Sequence, residues 1–212
     1  MSYCVRALKT PTPSSQRVSR LRAWLSPADP PRNADLIFVL AGGMHRKEYA
    51  LDLLRQGLAP GALFSVGRFE IRRFSKMALP VPLDLLERAQ ELPPPLRHYF
   101  VFFQGQLVQV EHVPPRRFGT LTEIEALAHW LSRNPEVNSV LVASSGPHLR
   151  RIRMCCRARL NPKVELAYLA APLPLSDGDA PAKPDLLELF KLTIYWVLLK
   201  FRSRDSQDRI RR

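Results

Sequence analysis

Apolar residues in this chain fall into two kinds of run. Ala34 to Leu40 (A-D-L-I-F-V-L), Ala62 to Val66 and Val137 to Ala143 are short, nearly continuous and closed by glycine or serine turns. Such runs predict strands buried on both faces, as in parallel sheets. The other runs recur at helical spacing. Residues 44–56 predict a helix stopped at Gly57, with Pro60 just beyond. Leu121, Ile124, Leu127, Ala128 and Leu131 fall on one side of a predicted helix. Pro147 suits the first position of another, running to Leu160. Val164 to Leu169 predicts a last strand, and Leu186 to Phe201 a strongly apolar final helix.

Strand, helix and strand around a glycine-rich first turn predict a right-handed parallel crossover. The alternation resumes in the second half. The fold class expected is therefore α/β: a Rossmann-like, doubly wound, mostly parallel sheet in a single domain. An insert at 70–107 interrupts it. There Leu83 to Leu92 predicts a helix, and His98 to Phe103 with Leu107 to Val113 predict a hairpin around Gln104-Gly105-Gln106. Residues 1–32 are basic and Pro/Ser-rich and read as partly disordered around a short basic helix at 18–25. The α/β domain spans 33–201, and 202–212 form a basic tail.

Composition adds mainly exclusions. With 212 residues, 46% hydrophobic and 24% charged, the chain is ordinary for a globular protein. Three cysteines, Cys4, Cys155 and Cys156, give neither a disulfide scaffold nor a C-x-x-C pair. No run of apolar residues is long enough for a standard transmembrane helix, and no secretory signal is legible. The compartment expected is the cytoplasm, with peripheral contact at the inner membrane, and not secretion.

The charge of +13 is uneven. Residues 1–32 carry +5, 146–163 carry +6 and 200–212 carry +4, so the rest of the chain is close to neutral. Basic tails attract polyanions, and contact with an anionic membrane through them is one expectation. Nucleic acid is disfavoured as a partner, because the chain lacks a recognisable motif and any aromatic–basic platform.

In a doubly wound sheet, ligands bind beyond the carboxyl ends of the strands, so the segments after each strand hold the candidate chemistry. After the first strand come Gly42, Gly43 and Arg46: a turn that lets a ligand approach main-chain amides, and a guanidinium to clamp an anion. After the second come Ser65, Gly67, Arg68 and Glu70, the last a candidate general base or ribose-hydroxyl acceptor. Thr120, Thr122 and Glu123 open a helix. Thr-x-x-Glu predicts a capping box, and a pocket role is the alternative. The sharpest signal is Ser144-Ser145-Gly146-Pro147-His148-Leu149-Arg150-Arg151. Small hydroxyls end a buried strand, and His148 and Arg151 share a helix face at i and i+3. His148 is a candidate acid or base. Arginines at a helix N-terminus are unfavourable unless an anion joins them. The competing reading of each motif is an ordinary turn or a solvated basic face. No His, Asp or Glu cluster has metal-ligand spacing, His129 is expected to be exposed, and no cofactor is predicted.

In this order the motifs resemble the YdcF/SanA/ElyC-like family of bacterial proteins. The stretches that carry the resemblance are Asp35 to Gly43, Arg46 to Ala50, Gly57 to Pro60, Ser65 to Gly67, Thr120 to Glu123 and Ser145 to Arg151. The closing E-x-x-K-L-x-x-Y, here Glu188, Lys191, Leu192 and Tyr195, is similar as well. The resemblance implies a Rossmann-like α/β domain and an association with the cell envelope and its precursor metabolism. The expected function is to bind a small anionic or phosphorylated ligand at the strand ends. Arg46, His148 and Arg151 would hold it, and Glu70 or Glu123 would act as base in a hydrolase or transferase. The alternative is a non-catalytic module for a nucleotide-like ligand or a partner.

Overall fold

The computed structural model describes residues 20–21, 23–115, 119–172 and 183–210, with the backbone alone at 183–186 and 201–210. Six strands form one sheet in the order β4-β3-β2-β1-β5-β6. They are β1 (Leu36–Val39), β2 (Gly61–Gly67), β3 (His98–Gln104), β4 (Leu107–His112), β5 (Ser139–Ser145) and β6 (Glu165–Ala171). β2, β1, β5 and β6 run parallel, while β3 and β4 are antiparallel and extend one edge. The helices are α1 (Met44–Arg55), α2 (Ile71–Phe74), α3 (Leu85–Gln90), α4 (Gly119–Ser132), α5 (Leu149–Arg159) and α6 (Lys183–Ile210).

The continuous apolar runs are strands because both faces of the sheet are covered. On β1, Ile37 and Val39 pack with Leu51, Leu53 and Phe74 of α1 and α2. Leu36 and Phe38 point the other way, to Ile124, Leu127 and Ile152 of α4 and α5. Two cores thus flank one sheet, as the doubly wound reading requires. Asp35 sets the register where β1 begins. Its Oδ2 accepts from the Ser139 amide at 2.8 Å and the Asn138 amide at 2.9 Å. With Leu36 aligned on Val140, the carboxyl ends of β1 and β5 finish side by side.

β1 is followed by a crossover to β2 on one side, and β5 lies on the other. The order reverses between β1 and β5, so the switch point lies where Ala41-Gly42-Gly43 meets Ser144-Ser145. The free edge of β6 is covered by the segment before β1. The Asp29 amide donates to the Tyr168 carbonyl at 2.7 Å, and Asp29 Oδ2 accepts from the Tyr168 amide at 2.9 Å.

Two expectations change. Helix α6 continues through Ile210, past the predicted end at Phe201. The capping box does not form. The helix starts at Gly119, and neither Thr120 nor Glu123 turns back on its own backbone. The N-terminal segment 1–19 and most of the Pro/Asp/Gly loop, 173–182, lie outside the described residues. Cys155 and Cys156 are buried, and burial pushes both thiols up to about 12, which makes them inert packing.

Candidate functional site at the β1–β5 switch point

The turn after β1 is held by two carboxylates from elsewhere in the chain. Glu123 Oε1 accepts from the Ala41 amide at 2.7 Å, and Glu70 Oε1 accepts from the Gly42 amide. Glu70 Oε2 also takes Lys47 Nζ at 2.8 Å and the Gly67 amide at 3.3 Å. Lys47 is fully buried, so its charge is matched by Glu70 rather than by water. Burial pushes the lysine below its usual value, and the Glu70 charge and hydrogen bond pull it back up. Burial likewise raises Glu123, opposed by hydrogen bonds from Ser65 and Ala41.

A second chain of bonds runs under the turn. The Ser65 hydroxyl donates to Glu123 Oε1, and His98 Nε2 lies 2.7 Å from the same hydroxyl oxygen. Because Ser65 gives its proton to the carboxylate, His98 must donate from Nε2. Burial, with the charges of Lys47 and His112, lowers His98 to about 4, in keeping with a neutral ring.

The two glycines serve the protein's own side chains. Gly42 has φ +138°, and a Cβ there would meet Arg46 Nη1 at 2.5 Å. A Cβ on Gly43 would meet the His45 ring at 2.5 Å. Arg46 and His45 therefore fold back over the turn and converge on Ser145. Arg46 Nε donates to Ser145 Oγ at 2.9 Å and Arg46 Nη1 to the Ala41 carbonyl at 2.8 Å. His45 Nε2 lies 3.0 Å from Ser145 Oγ. Burial and the neighbouring Arg46 lower His45, so its neutral ring can accept the serine proton.

On the opposite wall, Glu188 of α6 gathers three groups. Its Oε2 lies 3.0 Å from His148 Nδ1 and 3.2 Å from Arg151 Nε, and its Oε1 takes Lys191 Nζ at 2.9 Å. Arg151 Nη1 donates to the Thr120 hydroxyl, and Tyr195 lies under the guanidinium at 5.2 Å. Arg151 Nη2 is 3.3 Å from His148 Nδ1, but one nitrogen cannot both accept from Arg151 and donate to Glu188. The shorter contact to the carboxylate assigns a proton to Nδ1 and leaves Nε2 as a lone pair. Burial lowers His148, against the hydrogen bond and charge of Glu188. Burial would raise Glu188, but His148, Arg151 and Lys191 together bring it down to about 2.

Arg46, Ser145, His148, Arg151 and Thr120 are thus brought together, with Gly42 and Gly43 at the rim. Ser65, Gly67, Glu70 and Glu123 are placed under the turn, where the two carboxylates are occupied by backbone amides. Other expected residues lie elsewhere. Arg150 points away from the switch point, stacking 3.8 Å from the Trp24 ring and donating to its carbonyl at 2.6 Å. Thr122 faces β3 and β4, lining a cavity with Phe100 and His112. Arg68 is exposed and stacks on Phe69 at 4.4 Å. Ser144, one residue from Ser145, points to the other side of β5, and its buried hydroxyl has no partner among the described residues. His129 is exposed. Sequence reasoning about the site passed over His45, Lys47, His98 and Glu188. The signal for Glu188 was present in the E-x-x-K-L-x-x-Y spacing of the last helix.

No family model, no curated protein and no solved structure matches this chain, so the site is read from its own geometry.

Proposed function

We propose that the switch point binds a small phosphorylated ligand and, as a hydrolase or transferase, moves its phosphoryl group. The observation that supports this most is the convergence of Arg46 and His45 on Ser145 next to His148 and Arg151, close enough for the charges of the two pairs to act on one another, in a fold whose ligand crevice lies there. The positive charge of Arg46 and Arg151, beside a helix start with no acidic residue in its first turn, favours an anion. Arg46 is the anion clamp, its guanidinium fixed over the turn by Ser145 and the Ala41 carbonyl. Arg151 positions Glu188 and Thr120. Ser145 holds Arg46 and His45 in place beside the ligand.

In this reading His148 is the base. Its Nδ1–H is held by Glu188, as an orienting carboxylate holds a catalytic histidine, and Nε2 faces the reacting water or acceptor hydroxyl. The oxygen bonds to phosphorus as its proton moves to Nε2. The phosphorus–oxygen bond to the leaving group then breaks, and the imidazolium, stabilised by Glu188, returns a proton to that oxygen. Arg46 offsets the charge on the phosphoryl oxygens. Glu70 and Glu123, occupied by backbone amides, hold the turn in place of the expected base role. That occupation also favours the second reading, a non-catalytic nucleotide-binding or partner-binding module. The resemblance to the YdcF/SanA/ElyC-like family supports a phosphate-containing envelope precursor as the ligand class.

The test is a thermal-shift panel of inorganic phosphate, nucleotides, sugar phosphates and short polyprenyl phosphates, combined with an assay of phosphate release. A ligand of the native state raises the melting temperature by mass action. The expected result is a shift that Arg46→Gln removes and His148→Gln keeps, with turnover lost in His148→Gln. Binding without turnover in the unaltered protein selects the module. No shift with any compound overturns the anion site.

A further inference from the structure

Helix α6 is apolar on two sides. Glu188, Tyr195 and Leu199 are buried against the domain. Leu187, Phe190 and Val197, at i, i+3 and i+10, face outward and are 53%, 65% and 38% exposed. About 100° round the helix from Val197, Trp196 is 54% exposed and carries Lys200 Nζ 4.5 Å from its ring. The flank next to Trp196 is a groove of about 620 Å³ between α5 and α6. Its other wall is the arginine row Arg150, Arg153 and Arg157, one face of α5 at i, i+3 and i+7. Arg153 is 3.9 Å from Asp29, and its buried Nε has no acceptor among the described residues. Neither the outward stripe nor the groove belongs to the switch-point site.

We propose that this face docks the protein on an anionic lipid bilayer, with α6 lying in the membrane plane. An outward apolar stripe, a tryptophan at its border and a row of cations alongside are what a headgroup interface accommodates. The apolar side chains enter the boundary of the acyl region, while the arginines meet lipid phosphates. Among the described residues no helix is long and apolar enough to cross a membrane, so the helix lies on the surface. A second copy is a poor occupant: two chains of +13 would bring their arginine rows together.

The test is co-sedimentation of the full chain with vesicles of phosphatidylcholine alone and of equimolar phosphatidylcholine and phosphatidylglycerol. The variants are Phe190→Ser with Trp196→Ser, and separately Leu187→Ser. All three positions are exposed, and an unchanged melting temperature confirms the fold. The expected result is binding to the anionic vesicles only, weakened about tenfold or more by the double variant and less by Leu187→Ser. Undiminished binding of the double variant overturns the proposal and assigns adsorption to the basic termini. Failure to bind any vesicle overturns it as well. So does a dimer in the unaltered protein that the double variant converts to monomer, which would give the face to a second copy.

Discussion

His148 Nδ1 lies 3.0 Å from Oε2 of Glu188, and this pair joins the start of α5 to the last helix of the chain. One carboxylate fixes the histidine's tautomer, anchors Arg151 and Lys191, and closes one wall of the switch point. The Glu188 side chain is only 4% exposed, so its bonds work in a medium that screens them little.

The first prediction follows from Glu188. Its carboxyl is held at about 2 in the folded state against an ordinary 4.5. A depressed acid stabilises the fold above the unfolded value and loses that contribution as pH falls through the folded one. Folding stability is expected to drop by on the order of 3 kcal/mol between those limits. Denaturant titrations across acid pH check this. Glu188→Gln should be less stable at neutral pH and lose less stability across that window, where Asp35, also held down by its hydrogen bonds, still contributes.

His98 governs a different window. Its folded value of about 4 lies below the ordinary 6.5, so the unfolded chain binds the proton first as pH falls. Stability is expected to be full above 6.5 and to decline toward 4, by on the order of 3 kcal/mol. His98→Gln, which can still donate to Ser65, should make this limb shallower, with His45 and His148 carrying the rest, and leave the lower one intact. An unaltered slope in the variant would assign the limb to another group.

Lys47 and Glu70 form a buried pair at 2.8 Å, and removing one partner strands the other. Lys47→Met is expected to cost about 3–5 kcal/mol. Lys47→Met with Glu70→Gln should cost less than the sum of the single changes, because no charge is left unmatched. A double-mutant cycle by chemical denaturation measures the difference.

The two glycines after β1 differ in backbone strain, while a Cβ at either one displaces a side chain, Arg46 at Gly42 and His45 at Gly43. Gly42→Ala places a Cβ at φ +138° and is expected to cost about 1–3 kcal/mol. Gly43 has φ −58°, which any residue adopts. Gly43→Ala is therefore expected to leave stability within about 0.5 kcal/mol while moving the His45 ring off Ser145. Melting curves separate the two, and a histidine-resonance titration reports the freed ring.

Much of the fold was legible because burial on both faces writes a simple pattern. Leu-Ile-Phe-Val at 36–39 and Val-Leu-Val-Ala at 140–143 have no polar face to alternate, so they could be read as central strands. The ends of elements were harder. The last helix outran its apolar run, since residues after Phe201 have helical backbone without an apolar pattern to announce it. The site was half legible. Arg46, Ser145, His148 and Arg151 stand next to strand ends, and position alone marked them. Arg150 stands beside Arg151 but points elsewhere, because neighbours on a helix are turned about 100° apart.

By itself the sequence determined the strands, the crossovers and the segments that follow the strand ends, because these follow from hydrophobic period and turn chemistry. Only the tertiary structure decided which groups meet there. Glu188, Glu70, Glu123 and His98 come from distant segments, and nothing local signals that a carboxylate will fold onto a particular amide or imidazole. That depends on sheet order and helix packing, which set distances of a few ångströms between residues far apart in the chain. The two glycines show the same division: their presence marked a tight turn, and the packed structure showed that Arg46 and His45 fill the space they leave.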